Sequence, residues 1–161
     1  MPRTVIAGVA KVAFVPSLAN QAAPTTGEIA AGTILNTPGT QVNQGLIEMP
    51  GFMTEQTFST MQDMATAVDS KLAARQSLPD ATLKFYDDST SATIRTALAP
   101  GTSGFIVRFP YGQGLGKRCE VWPITTAAVN DADWGPSAEP HTFTVAVAVT
   151  GTPVKNAVSP A

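Results

Sequence analysis

The sequence has little charge: Lys, Arg, Asp and Glu make up 14% of its 161 residues, against roughly 25% in ordinary soluble domains. Something else must cover the surface. Either Thr, Ser, Asn and Gln solvate it, or much of it is hidden against other copies of the chain. The net charge of −2 and pI near 5.2 leave no electrostatic footprint for tight nucleic-acid or anionic-membrane binding, which needs clustered cations. Among the ten Lys and Arg only Lys117 and Arg118 are adjacent. The one cysteine, Cys119, excludes an internal disulfide and a cysteine-built metal site. No apolar run reaches the length of about 18 residues that spans a bilayer, and the N-terminus lacks the continuous apolar stretch of a signal peptide. The expectation is a chain kept in the cytoplasm unless it leaves within a larger particle.

What is present is alternation. Over 142–150, Phe143, Val145, Val147 and Val149 alternate with Thr144, Ala146 and Ala148, the period of a strand with one bulky and one small face. Nine residues at that rise span about 30 Å. Residues 5–15, 81–86, 104–109 and 118–126 are further strand candidates, bounded by Pro16, the Leu78-Pro79-Asp80 step, Pro110 with Gly112, and Asn130-Asp131. Strands without recurrent helices between them indicate an antiparallel sandwich or barrel. One short helix is expected at 92–98, capped by Thr90 or Ser91 and stopped by Pro100-Gly101. The stretch between Phe14 and Phe52 is rich in Pro and Gly and reads as a long loop or arm with some extended strand around 32–35; loops of this length usually carry function or are ordered by a partner. Residues 60–75 are ambiguous. Met61, Met64, Ala65, Val68 and Leu72 fall at helical spacing and propensity favours helix, while a strand over 67–76 would put Val68, Leu72 and Ala74 on one side and Asp69, Lys71 and Arg75 on the other.

No constellation commends itself as catalytic. His141 stands at the entrance to the best strand and reads as a polar strand-end residue. A Cys119–His141 dyad is conceivable, but Cys119 lies within a strand pattern, where a thiol acts as a small apolar group. Asp87-Asp88 and Asp131 with Asp133 sit in turn sequences, where Asp caps backbone N–H groups; weak divalent-ion binding is the competing reading. Gly112-Gln113-Gly114-Leu115-Gly116-Lys117 resembles a phosphate-cradling loop, yet such a loop must open a helix and this one leads into a strand pattern, so it reads as a hairpin connection. Trp122 and Trp134 read as core or interface packing. Catalytic residues, cofactors and metals are all expected to be absent.

Three stretches together resemble the tail tube (major tail) proteins of long-tailed, siphovirus-type bacteriophages, particularly those of actinobacteria. The first runs Ala10-Lys11-Val12-Ala13-Phe14-Val15-Pro16, then Ala23-Pro24-Thr25-Thr26-Gly27-Glu28-Ile29 and Gly32-Thr33-Ile34-Leu35. The second runs Ala81-Thr82-Leu83-Lys84-Phe85-Tyr86-Asp87-Asp88, then Ile94-Arg95-Thr96-Ala97-Leu98 and Gly101-Thr102-Ser103-Gly104-Phe105-Ile106-Val107. The third comprises the Gly-rich turn, Val121-Trp122-Pro123-Ile124 and the terminal alternating strand.

The resemblance implies a single tail-tube-like domain over 1–161. Its fold would be mainly β, an antiparallel β-sandwich or barrel with one short flanking α-helix and a long loop or arm. It implies homohexameric rings stacked into a hollow tube, assembled in the host cytoplasm and carried in the virion tail, through which DNA passes to the host as non-specific transient cargo. Tape measure protein, tail terminator and distal tail protein would be its partners, and it would bind no membrane. The family also implies that 67–76 belongs to a sheet, against its propensity. Met49, Phe52 and Met53 are candidates for inter-ring contacts, and Glu55, Asp63 and Asp69 for acids facing the lumen, where condensed positive charge would hold DNA back. The competing readings are another phage connector or secretion-type tube, which shares the fold, a monomeric carbohydrate- or receptor-binding β-sandwich, which needs a groove of exposed aromatics, and an enzyme.

Overall fold

The structure is a computed structural model and describes residues 9–36, 44–61, 70–132 and 139–160. Its elements in chain order are β1 (Lys11–Val15), α1 (Thr26–Ala31), β2 (Thr33–Asn36), β3 (Leu46–Glu48), β4 (Glu55–Met61), β5 (Ser70–Ser77), β6 (Ala81–Tyr86), α2 (Thr93–Ala97), β7 (Ser103–Phe109), β8 (Arg118–Asp131), β9 (Thr142–Val149) and β10 (Val154–Val158). Eight strands form one antiparallel sheet, ordered β2-β1-β7-β8-β9-β6-β3 with β10 also on β8, and β4 and β5 form a separate two-stranded ribbon. The large sheet curls into a half-barrel. The mainly β, antiparallel architecture predicted from alternation is therefore present.

Period-2 alternation works here on both faces. Along β1, Val12 and Phe14 enter one core while Ala13 and Val15 enter another; β8 likewise sends Trp122 and Ile124 one way and Cys119 and Val121 the other. The first core is the larger and also holds Leu83, Phe85, Phe143, Val145 and Val147, closed by Ile94 and Leu98 of the α2 segment. The second is closed by Ile29 of α1 and Ala157 of β10. Each fully buried Val, Leu, Ile or Phe contributes roughly 1.5–3 kcal/mol, so the two-sided sheet needs both helices as lids. Gly104 permits a close approach to the first core: a side chain there would meet the Phe14 ring at 2.6 Å.

Pro123 stands in the middle of β8, a place normally closed to proline because it has no N–H for the ladder. Its carbonyl accepts from Thr150 N–H at 3.0 Å, and this is where β8 changes partner, from β9 at Ile124↔Val149 to β10 at Val121↔Val154. The missing donor falls at the changeover, so no ladder bond is lost.

Several expectations need correction. Two short helices occur among the described residues where one was expected: α1 lies inside the supposed loop between Phe14 and Phe52, together with β3, while β2 is the extended strand expected around 32–35. Asn130-Asp131 is not a turn, since β8 runs on to Asp131 and pairs it with Phe143. Neither Thr90 nor Ser91 caps α2; its Ile94 N–H is taken by Gln44 Oε1 at 2.9 Å. The strand expected over 5–15 begins at Lys11, its first residues lying outside the described ones. In the ambiguous segment, 70–77 is strand and 62–69 lies outside the described residues.

Candidate assembly surface

The β4–β5 ribbon is the part of the fold that the core does not explain. Thr57, Phe58 and Thr60 suit a pleated strand, and β4 pairs with β5 through Glu55↔Ser77, Phe58↔Ala73, Ser59↔Leu72, Thr60↔Lys71 and Met61↔Ser70, with a bulge between Gln56 and Phe58. Thr57 Oγ1 donates to the Arg75 carbonyl at 2.6 Å across the bulge. At about 3.4 Å per residue the seven residues of β4 reach about 24 Å. Yet nearly every residue of both strands is exposed.

The root of the ribbon is fixed on both sides. Phe52 before it is buried, edge-on to Trp122 with centroids 5.6 Å apart, and Leu78 after it packs on the same core. Lys155 Nζ of β10 donates to Thr54 Oγ1 at 2.6 Å. Beyond that root, Phe58, Met61 and Leu72 are 61%, 53% and 55% exposed. Residues directly opposite in a ladder share a face and successive residues alternate. Phe58 therefore lies on one face with Thr60, Lys71 and Ala73, and Met61 and Leu72 lie on the other with Ser59 and Ser70; on the root side of the bulge Glu55 and Arg75 share a face. Both outer edges are without a strand partner among the described residues. A two-stranded ribbon is marginal by itself in water, and open edges with exposed apolar side chains mark a surface meant to be covered.

Of the residues expected at contacts, Met49 is half-buried against the first core and lines a groove of about 370 Å³ beside Lys11, Arg108 and Tyr111. The cations of that groove are engaged within the subunit: Arg108 pairs with Glu120, Lys11 Nζ donates to Gln113 Oε1 at 2.7 Å, and Arg118 donates to Tyr111 Oη at 3.0 Å. Phe52 is occupied in the core, whereas Met53 is exposed. Glu55 begins β4 at the surface. Asp63 and Asp69 lie outside the described residues.

The chemically suggestive residues are used structurally. Cys119 is fully buried and its thiol is pushed up to about 11, first by burial and then by the Glu120 charge. His141 is placed elsewhere, its Nδ1 3.2 Å from Asp87 Oδ2. Asp88 does the turn work expected of it, accepting from Thr90 N–H at 2.8 Å. Asp87 and Asp131 instead flank Arg95, which bonds both carboxylates and stacks 4.3 Å over the Phe143 ring. The Gly-rich segment joins β7 to β8 as a hairpin connection, and no group of side chains suited to a metal ion occurs among the described residues. Trp122 is in the core; Asp133 and Trp134 lie outside the described residues.

Sequence reasoning missed three parts of this picture. The strand β4 went unread because Met61 had been counted in a helical run. For α1 a signal existed: Thr25 and Glu28 form a capping box, with Glu28 Oε2 accepting from Thr25 N–H at 2.7 Å and Thr25 Oγ1 accepting from Glu28 N–H at 3.3 Å. Arg95 gave none, because its two carboxylates are 8 and 36 residues away.

A sequence model of the phage tail tube protein family matches residues 1–161, the whole chain. The chain belongs to this family. It is a structural protein of the phage tail and a component of the virion. A chain of the anti-feeding prophage baseplate, solved by cryo-electron microscopy with 6-fold symmetry imposed, is similar in fold at a TM-score of 0.56 and 10% identity, over 96% of this chain and 97% of that one. No curated protein matches.

Proposed function

We propose that six copies of this chain, each acting as one domain, close into a ring, and that rings stack into a hollow tube through which DNA passes during ejection. The observation that carries this reading is the β4–β5 ribbon, whose outer edges have no strand partner among the described residues and whose two faces both carry apolar side chains. The β4 edge of one copy and the β5 edge of the next differ, so their pairing is heterologous and repeats until rotation closes it. Closure leaves no edge open to uncontrolled pairing. The low charge of the chain agrees with buried contacts depleted of charge.

Met53, exposed at the root of the ribbon, and Met49 at its groove are the contacts available between rings, with Phe52 supporting them from inside. The lining is of mixed charge: over 55–77, Glu55, Asp63 and Asp69 stand against Lys71 and Arg75. That balance avoids the condensed positive charge that would bind DNA in a salt-dependent way. Tape measure, terminator and distal tail proteins are the partners expected at the tube's interior and ends, and assembly would take place in the host cytoplasm.

Negative-stain microscopy of the purified protein tests this. Rings or tubes with a central hole are expected. A chain that stays monomeric at high concentration would overturn the reading in favour of a binding module.

A further inference from the structure

The outer face of the large sheet changes character along its width. Beneath α1 and beside β10 it carries apolar side chains such as Val107 and Val121, which are buried in the second core. Farther along, the ladder sets two cross-strand rows on that face: Thr82, Ala146 and Ala128, then Lys84, Thr144 and Asn130, from β6, β9 and β8 in turn. Neither core includes these residues, and all six are half-buried or exposed. Their surface consists of hydroxyls, methyls and an amide. The one charge, on Lys84, is already engaged, with Nζ 3.6 Å from Glu48 Oε1 of β3.

We propose that this face of β6, β9 and the far half of β8 lines the lumen of the tube and is the surface along which duplex DNA slides. The inference rests on the ring reading above and assigns the wall within it. A face that docks on protein uses large anchors, chiefly aromatic side chains and Arg. The two rows have none, Tyr86 standing beyond them at the end of β6. A face turned to the medium outside the tube would be expected to carry free charge for solubility, and a face that grips DNA needs unpaired cations. Neither is found in these rows. Low relief and weak, interchangeable hydroxyl contacts suit instead a polyanion that must pass without being held. Chain topology points the same way. The ribbon leaves the sheet after β3 and returns at β6, and these two strands are neighbours at the end of the sheet. The bare face therefore adjoins the segment 55–77 of the proposed lining.

Cysteine labelling reads which surface the face becomes. Thr144→Cys and Ala148→Cys both place a thiol on it, and the native Cys119 is fully buried, so its background is low. Each variant is treated with a small maleimide and with a maleimide on a polymer too bulky to enter the tube, as dilute subunits and as assembled tubes. In tubes the small reagent should react within about threefold of its rate on subunits, and the bulky one should slow by about tenfold or more. Protection from both reagents, or failure of these variants to assemble where wild type does, would make the face a protein contact. Reaction with both would put it outside the tube. Each of these results overturns the lumen face and leaves the ring reading standing. Ala148→Lys tests the sliding: its tubes should hold short duplex DNA in a salt-dependent way that wild-type tubes do not, and equal retention would overturn the role given to the low charge of the face. A wild-type chain that never forms rings would overturn both readings.

Discussion

Phe58 and Leu72 stand on opposite faces of the same two-stranded ribbon, each more than half exposed. No single neighbouring surface can cover both. In the proposed tube each face would be covered by a different neighbouring surface.

Phe58→Ser and Leu72→Ser should therefore separate folding from assembly. Neither side chain contributes to either core, so the stability of the isolated subunit should change by no more than about 0.5 kcal/mol. Each should cost assembly about 2 kcal/mol or more per contact, as truncation of buried apolar anchors does. Urea unfolding of the dilute protein checks the first expectation and tube formation at fixed concentration the second. A serine variant that unfolds earlier yet still assembles would contradict both.

Phe52→Ala should behave in the opposite way. Its ring fills the first core edge-on to Trp122, beneath the Arg108 guanidinium at 5.8 Å. Truncation of a buried phenylalanine costs about 3–5 kcal/mol, and here it also loosens the root from which β4 departs. Met53→Ala, one residue on and exposed, should leave stability within about 0.5 kcal/mol of wild type. Chemical unfolding of the two variants side by side measures the contrast.

Acid should weaken the fold through Asp87. Burial pushes that carboxyl up, but hydrogen bonds from Arg95 and His141, the Arg95 charge and the Asp88 backbone N–H together outweigh burial and hold it below its ordinary value of 3.8. The folded protein thus binds fewer protons at this site than the unfolded chain. Its contribution to stability is complete above the unfolded value and is lost as pH falls through about 4 toward the folded one. Asp87→Asn should lower thermal stability at neutral pH and flatten the acid limb of the profile. An acid limb as steep as wild type in that variant would show that other carboxylates carry it.

The strands were legible where alternation is strong. In β6, β7 and β9 apolar residues recur every second position, and the expected and observed bounds agree within a residue. In β5 local propensity favoured helix, and pairing with β4 overrode it; Ser70, Lys71 and Ala73 have no strand signal of their own. The bounds of β8 were misread because Asn130 and Asp131 are common turn residues, while their roles here are ladder pairing and, for Asp131, binding Arg95. The ribbon as a candidate site was legible only in part: Glu55 and Met53 were named, but Phe58 and Leu72 acquire meaning only from the register that places them on opposite faces. Contacts that join distant positions, such as Gln44 with Ile94, leave no local pattern to read.

That last contact gives a sharp test of how α2 is held. Gln44 is buried, and its Oε1 accepts the Ile94 N–H at the start of a helix that has no side-chain cap of its own. Gln44→Met keeps the volume and removes the acceptor, leaving a buried N–H without a partner, which costs about 1–3 kcal/mol. Gln44→Glu retains an acceptor, so at neutral pH it should keep the bond while bringing a charge into a buried site, and it should recover part of the loss only if that charge is tolerated. Hydrogen exchange at Ile94 distinguishes the causes. Faster exchange confined to α2 in Gln44→Met is expected if the bond serves the helix, whereas uniformly faster exchange across β6 and β9 would mean that Gln44 supports the first core as a whole.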